Sequence, residues 1–529
     1  MPTFSVRADR LGLAFLSAFL WILAFRSIHA QEPRASASSS DLEQRVQELE
    51  ASLRELKTDR QKETPAVTTV LPASLKPAPS VKPLPDSAGP PLITHSVDAK
   101  AGLTPSPAAA ADADSPETSG APPRWAGWDN GFFIQSPDKR FVLRITGQIQ
   151  ADHRAFLDDV DFTDVDSFFI RRARLGIEAN MFDYYEFRLL PDFGQGQTVI
   201  QDAYMNVHYW DAFQVEMGKL KQPFSYEQLI QDRFVPTQER SMIDQLVPAR
   251  DVGIMLHGQH LFGDRLDWGI AFSNGTINGN SDTNDNKDLV GRLAVRPFAC
   301  SERFPALQGL QLGVSGSTGI EQEPVSPLTL KTPAGVPWFQ FNPTVRADGS
   351  RKRWSPEISY FFRSFGFATQ YFRQEQDLRP AFFGAGSQYR LEIPAEGFYA
   401  MATYLLTGEE RTTYSAAVVP LRDFDPIHPI SNPGAWELVA RVSRLDLGDQ
   451  VFQRLPTGRT TFVRLADPNR FASSATELTV GFNWYLNAWV RTQFNYERAW
   501  FDDPVRLGPG SDGLLRHQDT LMTRFQVIF

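Results

Sequence analysis

The sequence predicts an all-β protein, an antiparallel transmembrane β-barrel of about sixteen strands that follows a short α-helical coiled coil and a Pro-rich linker. The chain ends on Phe529, after a run in which Leu521, Thr523, Phe525 and Val527 alternate with other residues. The same period-two alternation recurs in short segments throughout 124–529. No segment beyond the N-terminus is long and apolar enough for a membrane-spanning helix. Together these observations favour a membrane protein built from strands.

The first 30 residues are predicted to be a signal peptide. Arg7 and Arg10 precede an apolar run over 11–25, and Ala30 is the small residue that signal peptidases prefer. The run is too short for a bilayer that needs about 20 apolar residues. We therefore expect cleavage before Gln31 and export across the inner membrane.

Residues 31–63 are predicted to contain a short coiled coil. Ser40 and Glu43 have the spacing of a capping box, and the apolar positions that follow form an a/d seam: Leu42, Val46, Leu49, Leu53 and Leu56. Two heptads are too few to associate alone, but they could assist a trimer that a larger domain holds together. The alternative is a single amphipathic helix on another surface. Residues 64–123 are rich in Pro, Ala and Ser and are predicted to be a disordered periplasmic linker.

The barrel domain is predicted over 124–529. In the segment 168–179, apolar Ala173, Leu175 and Ile177 alternate with Arg172 and Arg174. Because the charged face cannot contact lipid, these arginines are expected to face the lumen. Arg188 has the same parity on the next segment.

The connections alternate between short turns and long loops. Short turns are predicted at 180–183, 210–212 and 261–264, and long loops at 158–166, 222–250, 274–288, 320–352 and 448–474. The strand count places 407–434 on the short-turn side although it is long.

Composition limits the chemistry. Cys300 is the only cysteine, so no intramolecular disulfide can form, and the net charge of -9 argues against a nucleic-acid partner. His257 and His260 are three apart on a predicted strand and therefore point to opposite faces. We expect no metal, no cofactor and no catalytic residues.

Several motifs together resemble the phosphate-selective porin O and P family. They are Phe-Ile-Arg-Arg-Ala-Arg-Leu-Gly at 169–176, Gly-Lys-Leu-Lys-Gln-Pro-Phe at 218–224, Arg-Asp-Val-Gly at 250–253, Trp-Glu-Leu-Val-Ala-Arg at 436–441 and Asn-Trp-Tyr-Leu-Asn at 483–487. The resemblance implies a homotrimeric porin in the outer membrane of a diderm bacterium, surrounded by lipid, with its third long loop folded inward and its N-terminal arm in the periplasm. It also implies passive diffusion of small anions such as phosphate or polyphosphate. The terminal Phe529 resembles the signal that the barrel-assembly machinery recognises.

Anion selection needs fixed cations at the narrowest part of a pore, where they replace the water that an anion sheds. The predicted loop 222–250, which we expect to be the inward-folded one, carries Arg233, Arg240 and Arg250. Lys219 and Lys221 precede this loop, and Arg172, Arg174 and Arg188 are predicted to face the lumen. We expect these eight residues to form the anion-binding constriction.

Acidic residues leave other functions open. Glu227, Asp232, Glu239 and Asp244 lie in the same loop, and pairing with them would leave a weakly selective general diffusion porin. An outer-membrane tether and a barrel enzyme without a local motif are further alternatives.

Overall fold

The computed structural model describes residues 125–529 except 129–130, 158–165, 277–278, 280–281, 283, 323, 381, 384–388, 458 and 507–513. The predicted signal peptide (1–30), coiled coil (31–63) and linker (64–123) lie outside the described residues and stay predictions.

Strands dominate the described chain. They are β1 (Ala126–Trp128), β2 (Phe132–Gln135), β3 (Phe141–Phe156), β4 (Ser167–Met181), β5 (Tyr185–Asp192), β6 (Val199–Trp210), β7 (Phe213–Lys221), β8 (Arg250–His260), β9 (Leu266–Ser273), β10 (Asp288–Val295), β11 (Gly309–Glu321), β12 (Thr329–Lys331), β13 (Pro337–Gln340), β14 (Val345–Phe362), β15 (Phe365–Pro380), β16 (Leu391–Leu405), β17 (Ala435–Asp446), β18 (Leu455–Pro456), β19 (Phe462–Val463), β20 (Ser474–Tyr485), β21 (Val490–Val505) and β22 (Leu515–Ile528).

Helical structure in the described residues is confined to single turns. They are α1 (Tyr226–Leu229), α2 (Leu261–Asp264) and the 3-10 turns Gly194–Gly196, Met242–Gln245, Pro305–Leu307 and Asp449–Phe452. None of the helices in this part of the chain is long and apolar enough to cross a membrane.

Sixteen antiparallel strands close into a barrel, which confirms the predicted antiparallel β-barrel of about sixteen strands. Each barrel strand pairs with its neighbour in the chain, and β22 returns to pair with β3, for example through Gln526 and Gln150. The strands β1 and β2 extend this sheet, whereas β12–β13 and β18–β19 form separate ladders within connections. Closure leaves no exposed barrel edge, so the backbone polar groups of the strands are satisfied within the sheet.

The chain terminus takes part in the closure. The first half of β3 pairs with β2 and the second half pairs with β22. Between them, Gly147 and Phe529 exchange two backbone hydrogen bonds of 2.7 and 3.0 Å. The Phe529 ring covers Gly147 so closely that a Cβ there would lie 2.0 Å from a ring carbon. We call the end of the barrel that carries Phe529 the terminus end, and the other the far end.

The outer face of the barrel is apolar and carries aromatic side chains at its ends. Leu175, Met217 and Ile270 are exposed along the wall. At the terminus end, Trp128 packs edge-on against Trp489 and Trp436 stacks on Trp484, with ring centroids 5.4 and 5.1 Å apart. Such a band with aromatic borders suits a lipid bilayer.

The predicted connections occur with one correction. The short turns lie at 182–184, 211–212 and 261–265, and the long segment at 406–434 joins β16 to β17 at the terminus end as predicted. The expected loop 320–352 is wrong at its second boundary, because β14 begins at Val345. Arg351 and Arg353 are buried and alternate with exposed Lys352 and Trp354. This charged stretch is therefore a strand whose arginines face inward.

Far-end loops fill part of the barrel with an apolar core. Met242 and Ile243 of the third loop, Trp338 and Phe339 of the β12–β13 segment and Phe471 before β20 belong to one buried cluster. This core is not predictable from the sequence, because each loop has too few apolar residues to form a recognisable pattern alone.

Candidate pore constriction

The third far-end connection, residues 222–249, lies inside the barrel; we call it the lumen loop. Phe224 is fully buried and packs edge-on against Phe372 of β15, with ring centroids 6.3 Å apart. Next to it, the Ser225 hydroxyl donates to Gln370 at 2.8 Å, and the Tyr226 amide donates to Glu357 at 2.6 Å. The Gln-Pro-Phe sequence after β7 thus directs the chain across the lumen toward β14 and β15.

The second part of the lumen loop is bound to the opposite wall. Gln526 of β22 donates to the Arg233 carbonyl at 3.0 Å, and both Gln493 of β21 and Asn483 of β20 donate to the Pro236 carbonyl at 2.9 Å. Because wall side chains satisfy the loop carbonyls, a buried irregular segment is possible at this depth. The lumen loop therefore spans the barrel interior.

Two of the predicted site residues hold the lumen loop together. The Lys221 ammonium donates to the carbonyls of residues 228–230 at 2.7 to 3.2 Å, at the C-terminal end of α1. The Arg240 guanidinium donates to the Glu227 carbonyl at 3.1 Å, to the Ile230 carbonyl at 2.7 Å and to Asp232 at 2.6 Å. Both cations are therefore occupied by groups of the loop itself.

Asp232 and Glu239 of the lumen loop each face several arginines of the wall. Asp232 pairs with Arg174 and lies 3.4 Å from Arg172. Glu239 accepts two hydrogen bonds from Arg171, at 2.7 and 3.0 Å, and one from Arg524 at 2.9 Å. Arg154 and Arg172 lie 3.5 and 3.6 Å from the same carboxylate. We call the six arginines around these two carboxylates the arginine cluster: Arg154, Arg171, Arg172, Arg174, Arg240 and Arg524.

The charges of the arginine cluster are largely balanced. Five carboxylates pair with the six guanidiniums: Asp152, Asp192, Asp232, Glu239 and Asp244. Burial alone would raise the pKa of the Glu239 carboxyl, but Arg171, Arg172 and Arg524 lower it well below its usual range. Burial opposes ionisation of Asp232 in the same way, and Arg240, Arg172 and Arg174 hold its pKa well below the usual range. Both carboxylates are therefore ionised at neutral pH.

A β-bulge supplies one cluster member that alternation does not predict. In the β3–β4 ladder, Gln150 pairs with Arg172 and Ala151 pairs with Ile170, which leaves Arg171 as the extra residue. Consecutive arginines therefore both reach the lumen loop, whereas a regular strand would turn one outward.

The remaining predicted site residues lie outside the arginine cluster. Two of them, Arg188 and Arg250, pair with a second group of carboxylates. Arg250 donates to Asp202 at 2.6 Å, and Arg188 pairs with Glu178 at 2.9 Å and with Asp202 at 3.2 Å. The register pairs Lys219 with Ala203 and Val252.

Arg233 differs from the other arginines of the lumen loop. Its guanidinium lies over the Phe234 ring, 4.9 Å from the centroid, and no carboxylate in the described part of the chain pairs with it. Burial lowers the pKa of this guanidinium to about 10. Only this predicted loop arginine keeps a charge without a carboxylate partner among the described residues.

A second segment enters the barrel from the terminus end. Tyr414, in the long connection 406–434, is fully buried and packs edge-on against Phe361 at 4.9 Å. Its backbone amide donates to the Tyr226 hydroxyl of the lumen loop at 3.2 Å. Segments from both ends of the barrel therefore meet within it.

Three members of the arginine cluster were not among the site residues predicted from the sequence: Arg154, Arg171 and Arg524. Arg524 had a usable signal, since it lies between Thr523 and the outward-facing Phe525 in an alternating segment, and its side chain is fully buried. Arg171 had none, because the bulge depends on pairing with β3. No group of three or more His, Cys, Asp or Glu side chains that could hold a metal ion occurs among the described residues.

The chain is similar in sequence or in structure to several outer-membrane proteins. Part of the chain is 28% identical over 139 residues to porin O of Pseudomonas aeruginosa, and this match covers 26% of the chain and 28% of that protein. Among solved structures, the trimer form of OmpT from Vibrio cholerae gives a TM-score of 0.42 at 10% identity, covering 74% of this chain and 99% of that one. The outer-membrane channel DcaP of Acinetobacter baumannii gives 0.42 at 11%, covering 75% and 99%.

The family assignment rests on a longer match. Residues 143–326 and 337–529 match the family described as phosphate-selective porin O and P. These residues include every barrel strand from β4 to β22 and nearly all of β3. The chain therefore belongs to the phosphate-selective porin O and P family, a family of outer-membrane porins.

Proposed function

We propose that this protein forms a water-filled channel through which small anions, such as phosphate or polyphosphate, diffuse passively across the outer membrane. The observation that carries the proposal is the convergence of wall and loop arginines on the lumen loop, inside a closed barrel. Fixed guanidiniums in a confined space can replace the hydration shell of an oxyanion.

A weakly selective general diffusion channel is the second candidate. It is favoured by the ion pairs that Arg172, Arg174, Arg188, Arg240 and Arg250 make with carboxylates. A cation that already has a buried anionic partner attracts a second anion weakly. The two candidates therefore differ in selectivity and share the same channel.

The proposed assembly is a homotrimer in lipid, with 31–123 as a periplasmic arm whose coil assists trimerisation. In this proposal the terminus end faces the periplasm, so that Phe529 is available to the barrel-assembly machinery during folding. The outer aromatic borders and the closed ladder support the placement in lipid.

Reversal potentials in a salt gradient across planar bilayers test the function. We expect the wild type to prefer chloride over potassium, and we expect Arg188→Gln to lower this ratio, because Arg188 is 20% exposed and belongs to the wall. Arg506→Ala, in a far-end connection, is the control and should leave the ratio unchanged.

A wild-type channel that prefers potassium would contradict the anion assignment and leave the barrel intact. Protein that inserts into bilayers without any conductance would contradict the channel itself.

A further inference from the structure

We propose that the Glu239 carboxylate occupies an oxyanion-binding site formed by Arg154, Arg171, Arg172 and Arg524, and thereby sets how strongly the pore prefers anions. The site would take a tetrahedral or planar oxyanion such as phosphate. The inference rests on the proposed channel function and names the residue that determines the anion specificity of that channel.

Arg171 and Arg524 bind the Glu239 carboxylate through its oxygens, as they would bind a free oxyanion. Arg171 donates through Nε to Oε1 at 2.7 Å and through Nη2 to Oε2 at 3.0 Å, a two-point geometry that suits carboxylate and phosphate oxygens alike. Arg524 Nη2 donates to Oε1 at 2.9 Å. Donors in this arrangement recognise the anionic oxygens rather than the glutamate side chain as a whole.

More guanidinium groups surround Glu239 than one carboxylate can bind at close range. Arg154 and Arg172 approach Glu239 only to 3.5 and 3.6 Å, beyond the usual range of a charge-assisted hydrogen bond. The Arg154 Nε is buried and has no hydrogen-bond partner. A phosphate offers more acceptor oxygens than a carboxylate and could satisfy these donors.

The arginines and the carboxylate of this site come from different parts of the fold. The arginines come from β3, β4 and β22, whose positions the barrel ladder fixes. The carboxylate comes from the lumen loop and therefore acts as an anion tethered in a site that the wall provides. The cluster also reaches solvent, because the side chains of Arg171 and Glu239 are 26% and 11% exposed.

Replacing the tethered anion should open the site to a free one. We expect Glu239→Gln to lower the phosphate concentration that half-blocks the chloride current by about tenfold, which corresponds to about 1.4 kcal/mol. The chloride-to-potassium permeability ratio should rise in the same variant, since one fixed negative charge has been removed.

Asp244→Asn is the matched control on the same loop. Its carboxylate lies 3.9 Å from Arg240 and belongs to no multiple-arginine contact. Phosphate block of the two variants is compared at pH 8. Burial raises the pKa of the Asp244 carboxyl to about 7, so this carboxyl is ionised in the wild type at pH 8. In Glu239→Asp, which keeps the charge, phosphate should block the chloride current as it does in the wild type.

Phosphate block that is unchanged or weaker in Glu239→Gln would overturn the proposal. Release of the lumen loop from the wall would not disguise this result, because the wall arginines would remain and would be more accessible to phosphate. Equal strengthening by Asp244→Asn would also overturn it, because any loop carboxylate would then serve. Failure of the channel function itself would appear separately, as absence of wild-type conductance.

Discussion

Arg524 should contribute strongly to the stability of the folded barrel. Its Nε and Nη2 donate to the two oxygens of Asp152, both at 2.7 Å, and neither side chain is exposed to solvent. Removing one partner from a buried ion pair leaves an uncompensated charge, which costs about 3–5 kcal/mol. Arg524→Met keeps most of the side-chain volume and removes the charge, so we expect a loss of this size in the free energy of unfolding.

Arg498→Met is the matched control. Arg498 lies 3.6 Å from Asp519, and its side chain is 35% exposed. Such a pair contributes about 0–1 kcal/mol because water screens it. The two variants should therefore differ by about 3 kcal/mol.

Denaturant unfolding of protein refolded into detergent or vesicles, followed by tryptophan fluorescence, measures the difference. The double variant Arg524→Met with Asp152→Asn should recover about 2 kcal/mol, because no unpaired carboxylate then remains at position 152. Equal losses for Arg524→Met and Arg498→Met would refute the reasoning that burial, rather than the ion pair itself, determines the contribution.

Two further predictions concern the closure of the barrel and the N-terminal arm. Gly147→Val should displace the Phe529 ring and destabilise the closure by about 1–3 kcal/mol, seen as a lower yield of the heat-modifiable folded form on gels. Gly291→Val is its control, since the nearest atom to a Cβ there is 3.8 Å away, and a normal yield for both variants would contradict the role of the ring. Deleting 31–123 should leave single-channel conductance unchanged, because the Pro-rich composition of 64–123 predicts a linker outside the lumen. A loss of conductance on that deletion would show that the arm is part of the pore.

Much of the wall could be predicted from the sequence. Successive side chains of a strand point to opposite faces, so a membrane barrel must alternate apolar and polar residues. This rule placed Arg172, Arg174 and Arg188 on the charged face and located the turns at 182–184 and 211–212. The expected boundary at 352 was wrong because a run of basic residues resembles a loop when the pairing partner is unknown.

The site depended on contacts that no local pattern reports. Glu239 meets Arg524 across 285 residues of chain, and Asn495 accepts from the Gln238 amide across 257. The sequence shows which loop residues are charged, but it does not show which wall residues they pair with. Arg240 illustrates the consequence, since the sequence predicted an anion site and the structure shows a guanidinium bonded to its own loop.

By itself, the sequence determined the fold class, the strand count and the lumen-facing parity of most wall residues. These follow from a period-two pattern that lipid on one side and polar surroundings on the other impose on every strand. Only the tertiary structure decided that Arg171 turns inward and that Glu239 takes up the charge of several wall arginines. The reason is that a bulge depends on the neighbouring strand, and ion pairing depends on where a loop lies in the lumen; both arise from long-range contacts.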